Sequence, residues 1–506
     1  MKKIVFACLL AFLTASLFGQ NVNVLKENIV KAQLAPWLAA GQLESADNHL
    51  YLYYTDNTVW AAGKPVNDVV YVVDKDNFSV SEIHLQHLNS YNFVTMYEDE
   101  ANLYVLYSEW QNKTKTYTVC MNTIDKNATT ARWNPDELLS VTTEKRDGIY
   151  LFYSVSPDKS KLGFGLLVAS KKSDFKGSVA MAYGEGGEKL WEDELDLDFS
   201  NKTFSVLDFV MDNNAVAYAA ISSYTNVTKT SRSNEALQFL TITGDNSQSY
   251  SEDIEFGYIS SSKLKMAKNG NVVLGGYYNE NLNKNEAGAY MAVFDPQRGD
   301  FTIDNMKFPS DYYAGKAMFG IPAPSNYATN VQYIEEFADG TLLLLGEMRA
   351  MVAYTDNRGM TTYRFFARNI PVVYADATGK INDFALIKKN QMASAGTPQS
   401  TQWLRGQGFS YKPLMHNNKL YLFFNDAVEN YTGKIDQISK PSYAPAHASA
   451  YCVIEPGKEI ETKAIMNGKV TKYRLVYPLI MDDDYVLGVC TNKKKMGDIS
   501  KINFSF

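Results

Sequence analysis

Cysteine and histidine are scarce in this 506-residue chain, with four of the first and five of the second. Four thiols cannot build a disulfide framework for a chain this long. Cys8 falls in the N-terminal segment discussed below, leaving Cys120, Cys452 and Cys490, of which Cys452 and Cys490 are the pair that neighbouring units could bridge. The histidines are His49, His84, His87, His416 and His447. His84 and His87 stand three apart in a strand-like run, which puts them on opposite faces and prevents them from sharing a metal simply. No H-E-x-x-H, G-x-S-x-G or P-loop occurs, so no metal, nucleophile or nucleotide signature calls for a cofactor. A Ser/His/Asp set can still assemble in the fold from distant positions. Basic charge is short as well: 49 Lys and Arg against 56 Asp and Glu give −7, and no basic stripe is present to neutralise phosphates. Nucleic acid is thereby excluded as the natural partner.

Long apolar runs are missing beyond the N-terminus. The first 19 residues have the form of a secretory signal, with Lys2 and Lys3 ahead of an apolar stretch from Ile4 to Leu17 and a small residue, Gly19, at a plausible cut. Nothing downstream approaches the roughly 20 apolar residues of a membrane-spanning helix. The expectation is an exported chain, periplasmic, outer-membrane associated or extracellular, with no transmembrane segment in the mature part and residues 20–506 in one domain.

Aromatic residues are abundant: 34 Tyr and 26 Phe, side chains that favour pleated, half-buried strands. Polar turns lead into apolar strands at eight places. They are Asp47-Asn48, Asp99-Glu100-Ala101-Asn102, Asp158-Lys159, Asp212-Asn213-Asn214, Asn269-Gly270, Asp339-Gly340, Asn417-Asn418 and Asp482-Asp483-Asp484. The strands that follow begin near Leu50, Leu103, Leu162, Val216, Val272, Leu342, Leu420 and Val486. These starts lie about 50 to 80 residues apart, too loose for a stacked solenoid but suited to propeller blades with variable connections. A second hairpin recurs downstream, at 69–80, 117–130, 179–191, 237–250, 289–302, 371–384 and 450–463. After the eighth turn only residues 498–506 remain, enough for one strand, and the alternating stretch 21–30 can supply the other. The predicted fold is an all-β propeller of eight four-stranded blades, its ring closed by N- and C-terminal strands; seven blades are the alternative if one terminal unit is a cap. The Asp-rich turns lack the glycine and distal glutamate of a helix-loop-helix calcium site and read as turns.

In such a fold the two tight turns of each blade lie on one face, while the connections after the second and fourth strands lie on the other. That second face carries the long segments 222–235, 309–330, 347–364, 392–408 and 426–447, and long loops on a rigid scaffold are where binding resides. Candidate binding residues there are Tyr312, Tyr313 and Phe319, then Arg349, Tyr354 and Arg358, then Trp403 and Arg405. Rings supply contact area at low entropy cost; the competing reading is that they pack down and order the loops.

The unit at 331–391 is the clearest copy. It holds Gly346-Glu347 after Asp339-Gly340, then Tyr363-Arg364, Pro371-Val372-Val373, Gly379-Lys380-Ile381 and Lys388-Lys389-Asn390-Gln391. Leu420 to Asp426 and Asn430 follow. This combination resembles a group of exported, uncharacterised β-propeller-like proteins of Bacteroidota. The resemblance implies an exported propeller in a Gram-negative envelope and brings no catalytic residues. The favoured function is a non-enzymatic binding or scaffold module for a protein or glycan; the alternative is a hydrolase or lyase acting on a polysaccharide.

Overall fold

Each of the eight turns that open the repeat leads into the second strand of its own sheet. These eight strands are His49–Tyr54, Asn102–Gln111, Leu162–Ala169, Ala217–Thr225, Val272–Asn279, Leu342–Thr355, Lys419–Ala427 and Tyr485–Asn492. The computed structural model describes residues 30–503 except 35–38, 46, 56–64, 78, 89, 144–147, 170–174, 196–203, 226–232, 245, 281–284, 315–321, 324–325, 397–407, 432–436, 439–446, 468–472, 484 and 493–494. The signal-like segment lies outside this set. Among the described residues the regular elements are strands and short 3₁₀ turns, and no helix is long and apolar enough to cross a membrane.

The fold is all-β and propeller-like: eight sheets, mostly four-stranded, in chain order. Middle strands read as continuous apolar runs because neighbouring sheets cover both of their faces. Val272–Asn279 and Gly288–Asp295 are buried almost throughout, whereas the outer Asp300–Lys307 of the same sheet is largely open to solvent. The packed side chains join sheet to sheet. Tyr51, Tyr53 and Val70 of the first pack with Val105 and Tyr107 of the second, and Leu343, Leu345 and Val372 of the sixth pack with Leu420, Leu422 and Phe424 of the seventh. Leu50, Leu52 and Val73 of the first sheet likewise pack with Leu479 and Leu487 of the eighth.

Turn chemistry is local and repeated. Asp339 Oδ1 accepts the Thr341 N–H at 3.0 Å, and Gly340 takes φ +83°. Asp376 Oδ1 accepts the Thr378 N–H at 2.9 Å, and Gly379 takes φ +84°. An L side chain is strained in that left-handed region, so glycine is the favoured residue at both.

Two expectations need correction. The fourth strand of the second sheet is Asp136–Thr142, beyond the predicted 117–130 hairpin, because Thr130–Ala131 instead pairs in parallel with His84 and Leu85 of the first sheet. The N-terminal strand that joins the eighth sheet is Val30–Leu34, pairing with Lys495–Asn503, so it lies just past the stretch assigned to it. Residues 21–29 are outside the described set. Of the cysteines, Cys452 and Cys490 form no disulfide, and these two and Cys120 are buried thiols in the core.

The sixth sheet departs most from its siblings. Its second strand runs for 14 residues, Leu342–Thr355. The first half pairs within the blade, with Ala328–Glu336 and Ile370–Ala375. From Arg349 onward it leaves and pairs with Thr361–Ala367, which in turn pairs with Gln391–Ala395. The predicted polar loop at 347–364 is therefore a β-hairpin, closed at Asp356, whose Oδ1 accepts the N–H groups of Arg358 and Met360 at 2.9 Å each. Alternation of apolar residues in Met348, Ala350 and Val352 lets one hairpin face pack on Tyr312 and Tyr327. Phe365 on the other face packs on Phe409.

Candidate functional site

Strand ends leave backbone N–H and C=O groups without ladder partners, and these must find others when buried. At the tight turns the short Asp and Asn side chains suffice. At the opposite end of the sixth and seventh sheets the connections are long, and buried polar side chains take over the task. Gln391 is fully buried; its Oε1 accepts the Ser410 N–H at 2.8 Å while Nε2 donates to the Gly408 and Asn425 carbonyls at 3.0 and 2.6 Å. An amide suits this position because it carries both donor and acceptor. Asn425 Nδ2 donates to the Leu475 carbonyl at 2.8 Å, and its Oδ1 accepts from Ser449 Oγ at 2.9 Å. Ser449 Oγ in turn accepts the Leu475 N–H at 2.8 Å, so the chain of bonds reaches the eighth sheet.

Charges are buried in the same place. Glu347, at 0 % exposure, accepts from Lys389 Nζ at 2.6 Å, from Ser410 Oγ at 2.8 Å and from Arg349 Nε at 2.6 Å. Burial alone would raise the Glu347 carboxyl; Lys389, Arg349 and Ser410 reverse this and hold it at about 2. Lys389 also donates to Gln391 Oε1 at 2.8 Å. Arg349 Nη2 reaches Gln332 Oε1 and Ser410 Oγ at 3.0 and 3.1 Å. With these bonds satisfied internally, Glu347 and Lys389 act as a rigid clamp, and their charges are spent on each other rather than on a reaction.

Asp426 behaves differently. Its Oδ1 accepts the Ala427 N–H and Asn430 Nδ2, both at 2.8 Å. It is 3 % exposed. Burial is the largest influence on its carboxyl and raises it to about 6, with the hydrogen bonds and Lys389 only partly offsetting this. Asp426 lines a cleft of about 950 Å³ between the sixth and seventh sheets, together with Tyr374, Asn382, Lys388, Asn430 and Tyr431. Such a lining can donate and accept hydrogen bonds with a polyhydroxylated ligand and offer ring faces to it, and Asp426 can exchange a proton near neutrality.

The predicted binding residues fall into separate groups. Tyr312 is buried, its hydroxyl 3.0 Å from Thr329 Oγ1 and its ring stacked 3.9 Å from Phe308. Tyr313 donates to Glu286 Oε2 at 2.7 Å. Both secure their connection to the scaffold, in line with the packing alternative. Arg349 joins the Glu347 cluster. Tyr354 is 54 % exposed on the hairpin, with the Arg364 guanidinium 4.9 Å from its ring centroid, and Arg358 sits exposed at the hairpin turn. Phe319, Trp403 and Arg405 lie outside the described residues.

The residues that build the cluster and cleft, Glu347, Lys388, Lys389, Asn390, Gln391, Asn425, Asp426 and Asn430, all stand in the sequence segments that carried the family resemblance, yet they were assigned no role. The available signal was a run of polar residues, Lys388 to Gln391, breaking the apolar alternation where a strand should hand over to a loop. His87 was also underrated: it is buried with Nε2 2.6 Å from Asp68 Oδ2, while His84 is exposed beside Glu82. Among the described residues one group has metal-ligand composition, His416 with Asp482 and Asp483. It lies at the tight-turn end, where Asn417 Nδ2 already donates to Asp483 Oδ1 at 2.6 Å.

No protein-family model matches the chain, and no curated protein matches it. The solved structures that the chain resembles include a β-propeller domain, enzymes and proteins of unknown function. One, of unknown function from Bacteroides caccae, is 11 % identical, with 67 % of this chain and 93 % of that one covered and a TM-score of 0.27. The β-propeller domain of the trilobed protease from Pyrococcus furiosus is 9 % identical, with 68 % and 91 % covered and a TM-score of 0.31. An ulvan lyase from a new family of polysaccharide lyases is 10 % identical, with 61 % and 75 % covered and a TM-score of 0.36. At these scores the likenesses assign no family and no chemistry.

Proposed function

We propose that this chain is an exported eight-bladed propeller that works as a binding module of the cell envelope, holding a glycan, or a protein, at the junction of its sixth and seventh blades. Closure of the ring is supported by the pairing of Val30–Leu34 with Lys495–Asn503 and by the packing of Leu50 and Leu52 on Leu479 and Leu487. Export rests on the signal-like N-terminus. The observation that carries the binding reading is the 950 Å³ cleft, whose amides, carboxylates and lysine are flanked by Tyr374 and Tyr431. Behind it the internally neutralised Glu347–Lys389 pair keeps the lining in place. Preorganised polar groups such as Asp426 and Asn430, held by their own hydrogen bonds, suit a hydroxyl-rich chain because they need little ordering on binding.

A second reading, a polysaccharide hydrolase or lyase, draws on one observation: Asp426 is held near pH 6 inside the cleft. One experiment separates the two. The mature protein is incubated with a panel of neutral and acidic polysaccharides, and retention is measured alongside the release of new reducing or unsaturated ends. The binding reading expects retention without new ends. Release of ends that stops in Asp426→Asn supports the enzyme, and neither retention nor release refutes both the glycan-binding and the enzyme readings and leaves a protein as the ligand.

A further inference from the structure

Pro371 has no backbone N–H, and it stands opposite Leu386 where Ile370–Ala375 pairs with Ile381–Ile387. An antiparallel pair that exchanges hydrogen bonds needs an N–H from both members. This pair is therefore of the other kind, and Leu386 turns its N–H and C=O away from Ile370–Ala375. The same holds two residues earlier: Phe384 faces Val373 and donates its N–H to Asp383 Oδ1 at 2.7 Å instead of to the ladder. Ile381–Ile387 is the end strand in the order of the sixth sheet, with no strand paired on its other side among the described residues. The Leu386 groups thus form an open edge, the kind that serves as a template for another strand.

The cleft runs along this edge. Asn382, Asp383, Ala385, Leu386, Ile387 and Lys388 all line it. Successive residues of a strand point to opposite faces, so a cavity over one face would meet only every second residue. Ala385 and Ile387 pack toward Leu420 and Phe424 of the seventh sheet, whereas Phe384 and Leu386 pack toward Tyr312 and Phe366 on the other side. Leu386 consequently meets the cleft along its backbone. The far wall holds Tyr431 and residues 456–460, and of the lining residues Tyr374, Tyr431 and Ile460 are partly buried against the apolar core.

We propose that the cleft admits an extended polypeptide segment that pairs with the open edge at Leu386 as an added strand. Its apolar side chains, at alternate positions, turn toward Tyr374, Tyr431 and Ile460. Main-chain bonds to the Leu386 N–H and C=O and to the Phe384 C=O set the register, and the apolar contacts select the sequence. This rests on the reading of the cleft as a binding site and gives its protein ligand a form.

The probe is a phage-displayed library of random peptides of about ten residues, long enough for one strand, panned on the mature full chain. A selected peptide is synthesised and its affinity measured by fluorescence anisotropy, with polysaccharide retention followed in parallel. Backbone N-methylation of the peptide, one position at a time, should weaken binding about tenfold at every second position and little in between. In the complex the Leu386 amide should exchange with solvent at least about tenfold more slowly. Leu386→Pro removes the outward N–H without touching the ladder, which an outer strand tolerates, and should weaken binding about tenfold. Polysaccharide retention with no peptide selected overturns the strand site and leaves the cleft to a glycan, and absence of both overturns the cleft as a binding site as well. A peptide that binds without the period of two, or without slowing Leu386 exchange, overturns the edge pairing. Should Leu386→Pro fail to fold, the N-methylation series and the wild-type exchange decide.

Discussion

The two ends of the sheets solve one problem in opposite ways. At the tight-turn end each strand pair is closed mainly by its own residues: Asp74, Asp99, Asp212, Asp339 and Asp376 each accept backbone N–H groups within four positions, and exposed contacts such as Ala338 N–H to Asn418 Oδ1 add links to the next turn. Bonds to the Asp76 and Asn77 N–H groups hold Asp74 below its usual range, and the Thr341 N–H does the same for Asp339. At the long-connection end the bonds instead cross between distant segments. Lys389 reaches Glu347 across 42 positions and Asn425 reaches Leu475 across 50. The repeated end makes a scaffold of local turns, whereas the irregular end ties sheets together through buried groups; the cleft runs between them, from Thr341 and residues 456–459 at the turns to Asp426 and Asn430 at the long connections. Function is expected where the repeat is broken.

The largest effect should come from cutting the buried pair. Glu347→Gln leaves Lys389 buried without its counter-charge and should cost about 3–5 kcal/mol of stability, read as a lowered denaturant midpoint. Adding Lys389→Met should restore much of that loss. A Glu347→Gln protein as stable as the wild type would place both ends on the same footing.

Next in size is a pH effect at the same junction. Asp426 titrates near 6 in the fold against 3.8 for the free side chain, so the folded state holds its proton more tightly between those values. Stability from this group therefore falls as pH rises from about 4 to about 6, and above that the charged form opposes folding by about 3 kcal/mol. Asp426→Asn should thus stabilise the chain at neutral pH and have little effect near pH 4. His447 has the opposite sign: it is held at about 3 against 6.5, so its contribution is lost as pH falls through that range. Unfolding midpoints of Asp426→Asn and His447→Gln measured from pH 4 to 8 should change slope in opposite senses.

The smallest effects belong to the turns. Asp339→Ala removes one turn bond and should cost about 1 kcal/mol. Gly340→Ala forces a side chain to φ +83° with its Cβ 3.1 Å from that of Ala377, and should cost a similar amount. Asp212→Ala, at a turn outside the cleft lining, should cost as much and leave ligand retention unchanged, and an effect there would blur the contrast between the two ends.

This contrast also governs what was legible beforehand. Turn residues act on neighbours in sequence, so the eight second strands could be placed to within a residue, from His49–Tyr54 to Tyr485–Asn492. The hairpin at 349–367 was harder, because the alternation of Met348, Ala350 and Val352 is masked by apolar residues on the open face: Met351, Ala353 and Tyr354 are all exposed. The Thr130–Ala131 pairing was invisible for another reason, being two residues long and parallel to a strand of another sheet. Tyr312 and Tyr313 looked like a recognition surface because aromatic residues in a Pro- and Ser-rich loop read the same whether they face solvent or Phe308. The cluster itself depends on Glu347, Lys389, Gln391, Ser410 and Asn425 meeting across three connections, a convergence that only the packed sheets specify.

Binding of one retained oligosaccharide by calorimetric titration, compared across wild type, Asn382→Ala with Lys388→Ala in the cleft, and Asp212→Ala at a turn of the fourth sheet, tests the central claim most directly. The account predicts that the cleft variant binds at least about tenfold more weakly with an unchanged melting temperature, the loss of one or two hydrogen bonds to ligand. It predicts that the turn variant binds as the wild type does. Equal affinity in all three, or loss in the turn variant alone, would contradict it.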